Sequence, residues 1–142
     1  MCPMVFNVVK ILEIEPGAEL DHTVYDQWIR VAYKDHSLSI FDMDMLASED
    51  AVGDFHEVKI GVMFTELEAD VDDPPMAKGN RFSGKVVGLI EKDGLFEHVV
   101  DLDGLRVILS DHEEHSAGTV LRFKARLDLL DIRGATGGWK AA

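Results

Sequence analysis

Residues 109–118 read LSDHEEHSAG, so that Asp111, His112, Glu113, Glu114 and His115 put two imidazoles and three carboxylates into five positions. Such groups ligate divalent metals or exchange protons, which makes metal binding and acid–base catalysis the chemistries to weigh first. The spacing argues against a metal: zinc-protease helices carry H-E-x-x-H, with two histidines four apart on one face, and here the pair is H-x-x-H. A metal would need Asp111 together with something distant, such as His98 or His36, and no second Cys/His cluster has ligand spacing. The stretch reads instead as a solvated polar loop between two strands. No metal and no cofactor are expected.

Other candidates are weaker. EADVDD (68–73) echoes the start of a calcium loop, but Asp73 stands where that loop needs Gly, and Gly79 where it needs the bidentate Glu. Cys2 is near the chain start, no serine sits in G-x-S-x-G, and neither a P-loop nor a dinucleotide fingerprint occurs. The Gly-rich RGATGGWK (133–140) lacks the strand-to-helix context of a phosphate loop. The expectation is therefore a non-enzymatic chain without catalytic or cofactor-binding residues. One polar pattern stands out. Arg122, Lys124 and Arg126 alternate with Leu121, Phe123, Ala125 and Leu127, which puts three cations on one face of a strand. With Arg106 they form a candidate interaction face, unless acidic neighbours such as Glu57 or Glu97 neutralise them.

The elements that must position these residues are strands. Short alternating runs rich in Val, Ile and Phe, divided by turn residues, predict strands near 4–14, 27–34, 37–43, 55–68, 82–91, 95–101, 104–110 and 119–133. Leu20, Val24, Trp28 and Val31 also fit a helical stripe, so a short helix around 20–31 is the alternative there. The pattern repeats. VVKILEI (8–14) resembles VVGLIEK (86–92), WIRVAYKDHSLSIF (28–41) resembles LFEHVVDLDGLRVIL (95–109), and VGDFHEVKIGVMFTEL (52–67) lies over AGTVLRFKARLDLLDI (117–132). The offsets are 78, 67 and 65. In the last pair the alternation slips by one residue after Phe64 and again after Leu129, which predicts a bulge or bend in two long strands. The organisation is a single domain over 1–142. The expected halves, 4–69 and 82–133, are joined by an exposed loop, 70–81, and followed by 134–142, expected to be a flexible tail. Four strands bury little, so the halves are expected to close together as an all-β, OB-like barrel or sandwich of about eight antiparallel strands.

Composition narrows the partners. The 142 residues are 46% hydrophobic and carry a net charge of −13. Residues 1–78 hold 17 Asp/Glu against 5 Lys/Arg, while 79–142 hold 10 against 9. A field of that sign repels phosphate backbones and membranes and suits solubility or basic protein partners. There is no long apolar run and no signal-like start, and the single Cys fits a reducing compartment, so a cytoplasmic location is expected.

Strand, meander and long bent strand, in this order and length, resemble the RNA polymerase small subunit 8 family, its archaeal counterparts included. The residues that carry the likeness are VFNVVKILEIEPG, VGDFHEVKI (52–60), the mid-chain acidic Pro loop, SGKVVGLIE (83–91) and DLDGLRVIL (101–109). The resemblance implies a barrel of two OB-like halves that docks on the large polymerase subunits and is not catalytic. The functional expectation is thus a protein-interaction or assembly module. Its alternative is a single-stranded nucleic-acid binder working through Arg106, Arg122, Lys124 and Arg126, and a third class is an acidic inhibitor of a basic partner.

Overall fold

The computed structural model describes residues 5–134. Cys2 and the expected tail, apart from Gly134, lie outside that range. In chain order the strands are β1 (Phe6–Pro16), β2 (Glu19–Leu20), β3 (Thr23–Val24), β4 (Gln27–Tyr33), β5 (His36–Asp42), β6 (Phe55–Ala69), β7 (Met76–Lys78), β8 (Arg81–Lys92), β9 (Leu95–Leu102), β10 (Leu105–Asp111) and β11 (Val120–Gly134). Nine of them join one mixed sheet, and β2 with β3 makes a separate ribbon. The one helical piece among the described residues is a 3-10 turn, Glu49–Ala51. The helix weighed for 20–31 does not form. Asp21 and His22 both adopt left-handed φ, at 51° and 68°, in the tight turn between β2 and β3, and such a pair cannot lie in a right-handed helix. Nor is 70–81 simply a loop, because β7 pairs there with residues 81–83 of β8, and Ser83 Oγ donates to Pro74 O at 2.6 Å.

The chain divides into two compact units, one built from residues 6–60 with 127–134 and the other from 61–126. These boundaries differ from halves at 4–69 and 82–133, because β6 begins in the first unit and ends in the second, while β11 does the reverse. In the 6–60 unit, β1 pairs antiparallel with residues 55–59 of β6 and with β4; β4 pairs antiparallel with β5, and Ile40 and Phe41 of β5 run parallel to Leu127 and Asp128. In the 61–126 unit, β8 pairs antiparallel with residues 120–124 of β11 and with β9; β9 pairs antiparallel with β10, and Ile108 and Leu109 of β10 run parallel to Gly61 and Val62. The sheet is therefore mixed rather than antiparallel. The parallel contacts arise where a long strand enters a unit without a hairpin to reverse its direction.

The ladders of the two units follow the same register. Lys10 pairs with Ala32 and Ile11 with Val31; Lys85 pairs with Asp101 and Val86 with Val100. Each ladder then skips one residue, Leu12 or Val87, and resumes at Glu13–Arg30 or Gly88–Val99. Both skipped residues are apolar yet exposed, at 37% and 38%, as befits the extra residue of a bulge. Next to each bulge a glycine with φ near +90° closes the preceding loop. Gly53 N–H donates to Ile11 O at 2.8 Å and Gly118 N–H to Val86 O at 2.7 Å, with φ of 92° and 96°. Corresponding residues stand 75 apart in the first strand, 69 in the hairpin and 65 in the long strand. Sequence similarity alone placed the first two at 78 and 67.

Alternation accounts for the cores. Val9, Ile11, Ile29, Val31, Leu38, Ile40, Val58 and Ile60 fill the first unit, and Phe82, Val100, Leu102, Leu105, Val107, Leu109, Leu121 and Phe123 the second. Each such side chain contributes about 1.5–3 kcal/mol by leaving water. In β11 the buried series runs through alternate residues from Leu121 to Leu129, after which Leu130 is exposed and Ile132 half-buried. The irregularities of the β1–β4 and β8–β9 ladders fall in β1 and β8.

Candidate functional site

Phe96 and His98 lie in β9, and Leu109 and Asp111 end β10, at positions paired across the hairpin. Isoleucine holds the corresponding place in the other ladder, since Leu89 pairs with His98 as Ile14 pairs with Ile29. A histidine in a fully buried position must satisfy both ring nitrogens, and His98 does. Its Nδ1–H donates to Leu109 O at 3.0 Å, and its Nε2 accepts the backbone N–H of His115 at 2.9 Å. Those two partners fix a neutral tautomer. Burial pushes its pKa below the ordinary histidine value, with the Leu109 bond acting the other way and the nearby His115 adding to the fall.

His115 continues the network. Its ring lies 5.0 Å from that of His98, is itself buried, and its Nε2 meets Asp111 Oδ2 at 2.9 Å. Burial alone would raise Asp111, but the His115 bond and the N–H groups of Glu113 and His112 together hold its carboxyl below the usual range. The ligand-capable atoms of Asp111, Glu113 and His115 all lie within 4.8 Å of one another. The stretch is thus no simple solvated loop. His112 is exposed as expected, but His115 is drawn inside by its backbone bond to His98. His98 cannot ligate, because both nitrogens are committed, and His36 is not among the converging residues.

The other hairpin uses the same aspartate differently. Asp42 ends β5, 69 residues before Asp111, and is fully buried. Its Oδ1 accepts Leu46 N–H at 2.8 Å, and its Oδ2 accepts Ala47 N–H at 2.9 Å and Gln27 Nε2 at 2.8 Å. Gln27 Nε2 also donates to Ala47 O at 2.7 Å. Each aspartate therefore clamps the loop that follows it, one with amide donors only and the other with an imidazole among its donors. Sequence reasoning passed over Asp42. The signal was there in the shared aspartate after each hairpin, but misplaced offsets kept the two apart.

No protein-family model, curated protein or solved structure matches this chain. Nor does any helix reach the length and apolarity needed to cross a membrane, among the described residues.

The cationic face lies as alternation predicts: Arg122 is exposed, Lys124 and Arg126 are half-buried, and the residues between them are buried. Acidic partners accompany it, but not the expected ones. Arg122 forks between Glu68 and Asp73; the hydrogen bond to Glu68 is the main reason its pKa rises above the ordinary value. Arg106 sits across the hairpin from Asp101, at 3.5 Å. Glu57 serves Arg133 instead, at 3.0 Å, while that guanidinium also covers the Phe6 ring. A different surface escaped the sequence reading. In the loop after Asp42, Met43, Met45, Leu46 and Val52 are exposed by 55%, 41%, 41% and 36%. Asp44, Glu49, Asp50 and Asp54 accompany them, and residues 43–54 contain no Lys or Arg.

Proposed function

We propose that this chain is a non-enzymatic, cytoplasmic assembly module that binds other proteins, built as a double OB-like barrel of two similar halves. The observation that carries the reading is the loop at 43–54, where four large apolar side chains stand exposed beside four carboxylates. Soluble chains seldom gather exposed apolar residues without a partner to cover them. Their acidic setting suits a protein surface with basic and apolar groups, and repels nucleic acid. The resemblance to RNA polymerase small subunit 8 makes the large polymerase subunits the concrete candidates. Single-stranded nucleic-acid binding through Arg106, Arg122, Lys124 and Arg126 is the weaker reading, because Arg106 and Arg122 would have to exchange acidic partners for phosphates.

The test is affinity purification of the tagged chain from its own cells, wild-type beside Met43→Asp/Leu46→Asp. Large polymerase subunits should accompany the wild type and be depleted at least tenfold with the variant. Their absence from the wild-type eluate sinks the polymerase assignment. Equal recovery with the folded variant sinks the role of the loop.

A further inference from the structure

The clamp on the second hairpin loop holds more than a clamp requires. Asp42 secures its loop with neutral amide donors alone, so an aspartate at this position needs only donors. At Asp111 one donor is an imidazole, whose other tautomer offers a lone pair from the same nitrogen, and a second carboxylate is brought in beside it. The clamp explains Asp111 and His115. It leaves Glu113 unexplained: its exposed carboxylate converges on another carboxylate, and like charges at that range repel.

We propose that Asp111, Glu113 and His115 form a binding site for one borderline divalent cation of the Zn²⁺ class. The three ligand atoms lie within 4.8 Å of one another. Around a tetrahedral ion with bonds of about 2.1 Å, ligands stand roughly 3.4 Å apart, so small side-chain rotations close the site. His115 Nε2 and Asp111 Oδ2, now 2.9 Å apart, move slightly outward; the imidazole exchanges its proton from Nε2 to Nδ1 through solvent, and the freed Nε2 lone pair meets the ion where the hydrogen bond was. Three ligands from five consecutive residues cost little ordering, because their loop is already fixed. The backbone of His115 is held from behind by the chain Leu109 O, His98 and His115 N–H, which fixes where its ring starts. An imidazole with two carboxylates favours Zn²⁺, Co²⁺ or Ni²⁺ over Ca²⁺ and Mg²⁺, which take oxygen ligands. A tetrahedral ion keeps its fourth position for water. The site does not depend on the assembly role.

The experiment is isothermal titration of chelator-treated full-length protein with ZnCl₂ at pH 7.5, with thermal unfolding in parallel. Wild type should bind one ion at these residues, and its Tm should rise by roughly 5–10 °C at a hundredfold excess over Kd. Glu113→Gln keeps the Asp111–His115 clamp intact and should weaken this binding at least tenfold. His115→Ala should abolish it, and His112→Ala, an exposed neighbour, should leave it unchanged. Absence of binding by wild type up to 1 mM Zn²⁺ overturns the proposal. So does equal affinity in wild type and Glu113→Gln, which would mark adventitious binding elsewhere.

Discussion

Replacing Asp42 by alanine tests whether a single carboxylate holds the 43–54 loop. The substitution removes the acceptor for Leu46 N–H, Ala47 N–H and Gln27 Nε2, and the Ala47 and Gln27 donors are buried. A hydrogen bond to a charged group contributes about 1.5–3 kcal/mol, and a buried donor left without a partner costs a similar amount. Leu46 is 41% exposed, so water can replace its acceptor, and Gln27 keeps its bond to Ala47 O. Discounting those two leaves the Ala47 bond as the main term, for an expected loss of about 2–3 kcal/mol. That is a large share of the roughly 5–15 kcal/mol available to a domain. Gln27→Ala removes one donor and orphans the Ala47 carbonyl, for an expected loss of about 1–2 kcal/mol. Because the two residues share a bond, the double variant should lose clearly less than the sum. Urea unfolding followed by tryptophan fluorescence measures all three, Trp28 being in β4 beside Gln27. A loss below 1 kcal/mol for Asp42→Ala at unchanged m-value would refute the clamp.

The remaining expectations concern pH, backbone and charge. In a chelator, stability should fall as pH drops below about 6.5, the ordinary histidine value, because His98 binds a proton more readily in the unfolded chain. A second decline should begin below about 3.8, where Asp111 takes up protons only after unfolding; a flat profile from pH 7 to 5.5 counts against the neutral His98. His98→Ile should cost about 1–3 kcal/mol at pH 7.5, by orphaning His115 N–H and Leu109 O, and should flatten the first decline in the same melts. Gly53→Ala and Gly118→Ala should each cost about 1–2 kcal/mol, since both glycines hold φ above 90°. Similar losses at the two sites would show that the loop closures are energetically alike. Glu68→Gln/Asp73→Asn releases Arg122, and should strengthen low-salt oligonucleotide binding, measured by fluorescence anisotropy, relative to a wild type that binds little.

The eight long strands were legible because alternation and turn residues act locally: every buried residue from Leu121 to Leu129 in β11 falls on the face that period two assigns. Local chemistry could not give the pairings. Bulges at Leu12 and Val87 move the register by one, and similarity between runs of valine and isoleucine cannot see a skipped residue. The helical stripe at 20–31 failed because Asp21 and His22 tolerate left-handed φ, a property that periodicity does not weigh. The parallel contacts were invisible for another reason: they depend on where β6 and β11 go after leaving the unit in which they start. At the candidate site, spacing suggested a polar loop, and it described His112 correctly. It missed His115 because the force that buries it is a backbone bond to a histidine 17 residues earlier.

The two hairpin loops show how one structural need can be met with different chemical consequences. Each begins at an aspartate that must be satisfied at the end of a buried strand. Where Gln27 supplies the donor, the clamp has no proton to lose, and the loop it holds is left with apolar residues turned outward. Where His115 supplies it, the bond can be traded for an ion, and the backing histidine reaches the core only by giving up the apolar side chain that Ile29 keeps. A buried imidazole is a poor substitute for isoleucine in packing, so its presence is best explained by what it positions. An engineered exchange separates the two roles. His115→Gln should preserve the loop, because an amide can still donate to Asp111, while removing the imidazole nitrogen that the metal site uses. If loop stability and Zn²⁺ affinity fell together in that variant, clamp and ligand could not be separate functions of His115.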